Sequence, residues 1–169
     1  MYAVGSRIVH PAYGAGTIIR IQEKSIGDST NQYYVIDTVP GPREMRLMVP
    51  VDAAGELGLR RVGDKQQLLE LLDTVTTPPE DDDVVQDFRR RKALITDQLK
   101  SGSFSEVVAA VRMLHYMSTE RRLSMTDRSL LDQGKEILAS ELALAMGVEL
   151  DQALSEIEGE LNEMIPTEE

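Results

Sequence analysis

The sequence predicts an α+β protein, with a small antiparallel, SH3-like β domain followed by an all-helical domain. Three observations carry this. The first sixty residues alternate short β-branched runs with turns bearing Gly and Pro. Beyond Asp64 the apolar residues recur at helical spacing. Between the two, Thr76-Thr-Pro-Pro-Glu-Asp-Asp-Asp83 interrupts any regular element. The predicted divisions are a β domain over 1–62, a short helix with an acidic, proline-containing linker over 63–83, and a helical domain over 84–169.

Each element has a local reason. Arg7-Ile-Val-His10 reads as a strand, and Pro11 to Gly16 as a turn, since Pro fixes its own φ and Gly tolerates positive φ. Thr17 to Gln22 is a second strand, Lys24 to Asn31 a polar loop, and Gln32 to Asp37 a third strand. Pro40-Gly-Pro42 breaks the chain before a fourth strand, Glu44 to Val49, closed by Pro50. Asp64 is a helix N-cap for Lys65 to Leu72. A basic helix runs from about Val84 to Lys100 and stops at Ser101-Gly102. Ser103-Phe-Ser-Glu106 has the form of a capping box, and Val107, Val108, Val111 and Leu114 mark one face of the helix it opens. Ser124 opens a further helix that stops near Gly147. Leu150, Leu154, Ile157, Leu161 and Ile165 then fall at helical spacing.

Charge is unevenly spread. The chain of 169 residues has 18 basic and 29 acidic side chains, a net −11. Residues 88–135 nevertheless carry ten basic and five acidic groups, whereas 136–169 carry no basic and ten acidic ones. Phosphate contact needs locally dense cations, so the acidic total does not exclude nucleic acid. Without cysteine there are no disulfides or thiolate metal sites. No signal peptide is evident, and the most apolar stretch, Ile137 to Val148, is too short to span a bilayer; a cytoplasmic protein without a membrane role is expected.

Catalytic chemistry lacks parts. His10 and His115 fall in different predicted domains, the first a strand-end residue and the second a structural helix residue with phosphate contact as its alternative. Asp81-Asp-Asp83 is a solvated run, and Gly14-Ala-Gly16 is too short to cradle phosphate. No enzyme activity, cofactor or metal is expected. The stronger lead is Phe88-Arg-Arg-Arg-Lys92. Arg89, Arg90, Arg91 and Lys92 fan over a full turn, so at least two face solvent with Lys100 or with Arg121, Arg122 and Arg128. Either these cations contact phosphate or they balance the acidic tail. Phe88 shares a face with Ile95 and Leu99, which favours the core; beside three arginines at a helix start, it equally fits an apolar wedge for a base step.

The chain resembles the CarD/CdnL family of bacterial RNA polymerase-binding transcription regulators over most of its length. The N-terminal likeness lies in Val4-Gly-Ser-Arg-Ile-Val-His-Pro-Ala-Tyr-Gly-Ala-Gly16, Tyr33 to Ile36, Met48 to Val51 and Gly58 to Arg60. The same module occurs in the transcription-repair coupling factor. The C-terminal likeness lies in Arg90 to Lys92, Leu99 to Gly102, Glu106 to Val108, Glu120 to Ser124 and Ile137 to Ala143.

The resemblance implies a Tudor-like β domain that docks on the protrusion lobe of the polymerase β subunit through an exposed strand. By position that strand is Arg46-Leu-Met-Val49 with Pro50, and Lys24 lies nearby. Arg46 and Met48 are the expected contacts, whereas Leu47 and Val49, on the alternate face, fill the barrel. It further implies a helical domain against the minor groove near the minus-ten element, at the upstream edge of the bubble, stabilising the open complex largely without reading sequence. Phe88 stands where the family carries a wedge tryptophan, and this chain has no Trp. Arg90 and Arg91 match the phosphate-contacting pair, with Arg121 and Arg122 as secondary candidates. A monomer is expected. The competing class is a protein-only adaptor on polymerase, its helical domain binding another protein.

Overall fold

Alternating apolar residues and tight turns build a curled sheet in the first third of the chain. The computed structural model describes residues 1–164. Its strands are β1 (Arg7–His10), β2 (Gly14–Ile26), β3 (Ser29–Thr38), β4 (Arg46–Pro50) and β5 (Arg60–Arg61). They form one antiparallel sheet in the order β4-β3-β2-β1-β5. A register shift between Ile18 and Arg20 bends β2, as an extra residue in one strand does. The bend wraps the sheet around Ile8, Ile18, Tyr34, Ile36, Val49 and Leu59. The buried Tyr34 hydroxyl accepts from the Tyr2 backbone N–H at 2.8 Å, so burial leaves it partnered.

One expectation changes here. Lys24 to Asn31 is strand rather than loop. Lys24 pairs with Asn31 and Ser25 with Thr30, their hydroxyls 3.1 Å apart, and Gly27-Asp28 alone makes the turn. The hairpin tip therefore overhangs β4, which pairs only with Tyr33 to Asp37.

The helices are α1 (Lys65–Asp73), α2 (Phe88–Lys100), α3 (Phe104–Glu120), α4 (Met125–Met146) and α5 (Leu150–Asn162). Side chains cap them where predicted: Asp64 accepts from Gln67 N, Ser103 from Glu106 N and Ser124 from Asp127 N. The basic helix starts at Phe88 rather than Val84, because Asp87 caps it by accepting from Arg90 N. Gly147, at φ 69°, ends α4 in the left-handed region. Ile165 lies outside the described residues.

The stretch 63–83 does not stand apart as a linker. Leu68, Leu72 and Val75 sit in the same core as Ile95, Val111 and Leu142. Arg112 binds the Thr77 and Pro78 carbonyls at 2.7 and 3.0 Å, clamping the double-proline bend onto α3.

The two domains are fastened together. Arg60 of β5 donates to both carboxylate oxygens of Glu141 in α4, at 2.8 and 2.6 Å, and to the Gly102 carbonyl at 2.6 Å. Glu141, only 2% exposed, also accepts from Gly63 N at 2.8 Å. Ser140 accepts from Ala15 N, Arg7 donates to the Leu144 carbonyl and Arg43 pairs with Glu136. The seam is close enough that a Cβ at Gly14 would lie 2.9 Å from Ser140 Oγ. The sheet edge and the helix ends are thus held in one frame.

Candidate functional site

Helix geometry sorts the basic run. On α2, residues 88, 91, 95 and 99 share one side. Ile95 and Leu99 fill the core, and the guanidinium of Arg91 occupies the next place along that stripe. Arg91 is 4% exposed. The expectation that it touches phosphate is corrected on this ground. A buried cation needs partners, and Arg91 has them. Nε and Nη2 donate to the two carboxylate oxygens of Asp127 at 3.1 and 2.9 Å, and Nη1 donates to the Val85 and Gln86 carbonyls at 3.0 and 3.1 Å. Burial on its own raises the Asp127 carboxyl. The hydrogen bonds from Arg91 and Ser124, with the charges of Arg91 and Arg121, outweigh it and hold the group below its ordinary value.

Phe88, one turn earlier, has no core left to enter. It is 44% exposed, its ring centroid 5.7 Å from the Arg91 guanidinium carbon. The core alternative for Phe88 therefore does not hold. Arg89, Arg90 and Lys92 fan outward and are exposed.

The remaining cations come from the turn between α3 and α4. Arg91 meets Asp127, while Leu99 approaches Gly134, so α2 and α4 run parallel and start at the same end of the bundle. Arg121 and Arg122 lie in the turn just before α4, and Arg128 lies in its first turn. All three are exposed. Among the described residues none of Arg89, Arg90, Lys92, Arg121, Arg122 and Arg128 makes an ion pair. Met125 opens α4 at 91% exposure on the same end. Met125 closes the segment Met117 to Met125 that the sequence offers as a secondary candidate. The residue the sequence does not reveal is Asp127, since nothing local marks it as the partner of Arg91.

At the other end of the molecule β4 is an outer strand. The alternation holds. Val49 is buried and Leu47 partly so, while Arg46 and Met48, the latter 38% exposed, face outward. Leu47 and Val49 are therefore withdrawn as side-chain contacts, leaving only their backbone at the edge; Pro50, partly buried, has no N–H to offer. Arg46 pairs with Asp37 on β3 at 2.7 and 3.2 Å, and this hydrogen bond holds the Asp37 carboxyl below its ordinary value. Lys24 is exposed on the overhanging hairpin.

His115 is half-buried near Lys135 and Glu158, as a structural residue would be; burial, then the Lys135 charge, pull its pKa down. Among the described residues no three His, Asp or Glu side chains form a metal-holding group, and no helix is long and apolar enough to cross a membrane.

Comparison with known proteins decides the family. Residues 2–63 match the CarD-like/TRCF RID domain and residues 70–158 match the CarD C-terminal domain. The chain belongs to the CarD family. It is also 30% identical over 148 residues to the "Putative transcription factor YdeB" of Bacillus subtilis (strain 168), covering 88% of this chain and 94% of that protein. The match to the CarD C-terminal domain begins inside α1, consistent with the packing of Leu72 and Val75 into the helical core.

Proposed function

We propose that this CarD-family chain is a transcription factor that associates with RNA polymerase and stabilises the open promoter complex. The β4 edge docks on the protrusion lobe of the polymerase β subunit, with Arg46 and Met48 supplying side-chain contacts and the strand backbone supplying hydrogen bonds. Phe88 enters the minor groove at the upstream edge of the bubble, and Arg89, Arg90, Lys92, Arg121 and Arg122 contact phosphates around it. The observation that carries this reading is the half-exposed ring at a helix start, on a bundle end crowded with exposed cations that make no ion pair among the described residues. An apolar side chain flanked by cations is the equipment for prying apart a base step.

The fastened domains bear on the mechanism. A flexible tether would only raise local concentration. Arg60 and Glu141 instead hold the wedge at one distance and angle from the docking strand. A factor shifts an equilibrium only through differential affinity, and a fixed wedge favours the one promoter geometry into which it fits. Specificity then comes from shape and polymerase position rather than base edges.

The test is the dissociation rate of polymerase–promoter open complexes with parent protein and with Phe88→Ala, alongside capture of the β-subunit lobe. Base–aromatic stacking contributes about 1 kcal/mol or more, so the variant should shorten the lifetime at least about fivefold while keeping capture intact. Equal lifetimes at full occupancy would refute the wedge. Loss of capture by the parent would refute the polymerase reading altogether.

A further inference from the structure

We infer that Arg91 and Asp127 are positioning residues, which aim the Phe88 ring outward rather than touching DNA themselves. The inference rests on the DNA reading above and adds how its wedge is held. A buried ion pair is weak evidence for stability, since an apolar pair of the same shape often serves as well. What this pair supplies is direction. The Arg91 fork binds the Asp127 carboxylate on one side and the carbonyls of Val85 and Gln86 on the other. Asp127 is held in turn by the Ser124 hydroxyl at 3.0 Å. The start of α2, the start of α4 and the segment entering α2 are thereby pinned to one another around a single guanidinium. Asp87, the next residue after the clamped carbonyls, caps the helix through Arg90 N at 2.9 Å. Phe88 follows immediately, so its backbone is fixed from both sides.

The same guanidinium determines where the ring can go. An aromatic residue on the apolar side of α2 would ordinarily close over Ile95. Here the place below Phe88 is filled by a planar cation already committed to four acceptors. The ring can lie over that cation but not beneath it. Phe88 is therefore presented to solvent in a defined orientation, as a wedge requires if it is not to lose the entropy of ordering on contact.

The chain has two phenylalanines, Phe88 exposed and Phe104 buried, which makes the test direct. Uniform incorporation of 4-fluorophenylalanine gives two fluorine resonances, with Phe104 as the internal control for the fold. Asp127→Asn and Arg91→Lys, which weaken the fork without removing the side chains, should move the Phe88 resonance toward that of a free ring and leave Phe104 in place. Each should shorten the open-complex lifetime as Phe88→Ala does, with no further loss when combined with Phe88→Ala. An unmoved Phe88 resonance in a folded variant, or losses that multiply in the double variant, would overturn the positioning role. If Asp127→Asn unfolds, seen as collapse of the Phe104 signal, Arg91→Lys decides. If Phe88→Ala itself leaves the lifetime unchanged, the DNA reading fails while the fluorine shift still decides the positioning.

Discussion

Removing the Glu141 carboxylate should uncouple the two domains before it unfolds either. The group accepts three hydrogen bonds, two from Arg60 and one from Gly63 N, all between 2.6 and 2.8 Å. Hydrogen bonds to a charged group contribute about 1.5–3 kcal/mol each when fully buried. The Arg60 side chain is 34% exposed, and its Nε keeps the Gly102 carbonyl, so water recovers much of what Arg60 loses. Gly63 N, in a half-buried residue, would lose the one acceptor it has among the described residues. Discounting the two Arg60 bonds for solvent, Glu141→Ala should cost about 2–3 kcal/mol. For a chain of this size that lowers the melting temperature by roughly 5–10 °C. The sharper assay is distance. The protein has no cysteine, so Asp28→Cys at the hairpin tip and Asp132→Cys on α4, both exposed, can carry paired spin labels. The parent should give a narrow distribution and Glu141→Ala a broad one, with the secondary structure of both domains retained. A variant as narrow as the parent and equally stable would refute the claim that this carboxylate fastens the domains.

Further outcomes follow from the same geometry. Arg46→Glu should weaken capture of the polymerase lobe; adding Asp37→Arg should restore the cross-strand pair but not the capture, separating docking from folding. Binding of the isolated protein to linear duplex should be weak and steeply salt-dependent, with a slope of log K against log salt no steeper than about −4.5 for five phosphate contacts; nanomolar binding in moderate salt without polymerase would contradict this. Stability should fall in two stages on acidification, measured as melting temperature against pH. His115 is depressed when folded, so below about pH 6.5 the unfolded chain binds more protons and stability drops. Asp127 is also depressed, so its contribution is complete above about pH 4 and is lost as pH falls through its folded value below that.

Much of the architecture was legible because its signals are local. Caps at Asp64, Ser103 and Ser124 need only neighbours in sequence, and β1 is bounded by a proline turn. The end of β2 was not legible. Glu23 to Asn31 is exposed on both faces, so no alternation marks it, and only cross-strand pairing makes it strand. Within 63–83 the helix is legible, but Thr76 to Asp83 reads as a linker or an exposed bend because Pro78, Pro79 and the aspartates dominate it; the anchors of the stretch, Leu72, Val75 and the Arg112 clamp, act through tertiary contact. Arg91 shows the same limit at the site. Arg91 lies at helical spacing with Ile95 and Leu99, but a charge can be buried only with a partner, and Asp127 is 36 residues away. From the sequence Arg91 therefore reads as a phosphate contact like Arg90, whereas it is internal. Met48 and Arg46 were legible because strand alternation needs no partner to be known.

The most direct test of the central claim is a photocrosslink from position 88. Phe88 replaced by benzoylphenylalanine, in the complete polymerase–promoter complex, should label promoter DNA at the upstream edge of the bubble. Labelling of protein alone, with the factor bound to polymerase, would contradict the wedge and favour an adaptor whose helical domain meets another protein.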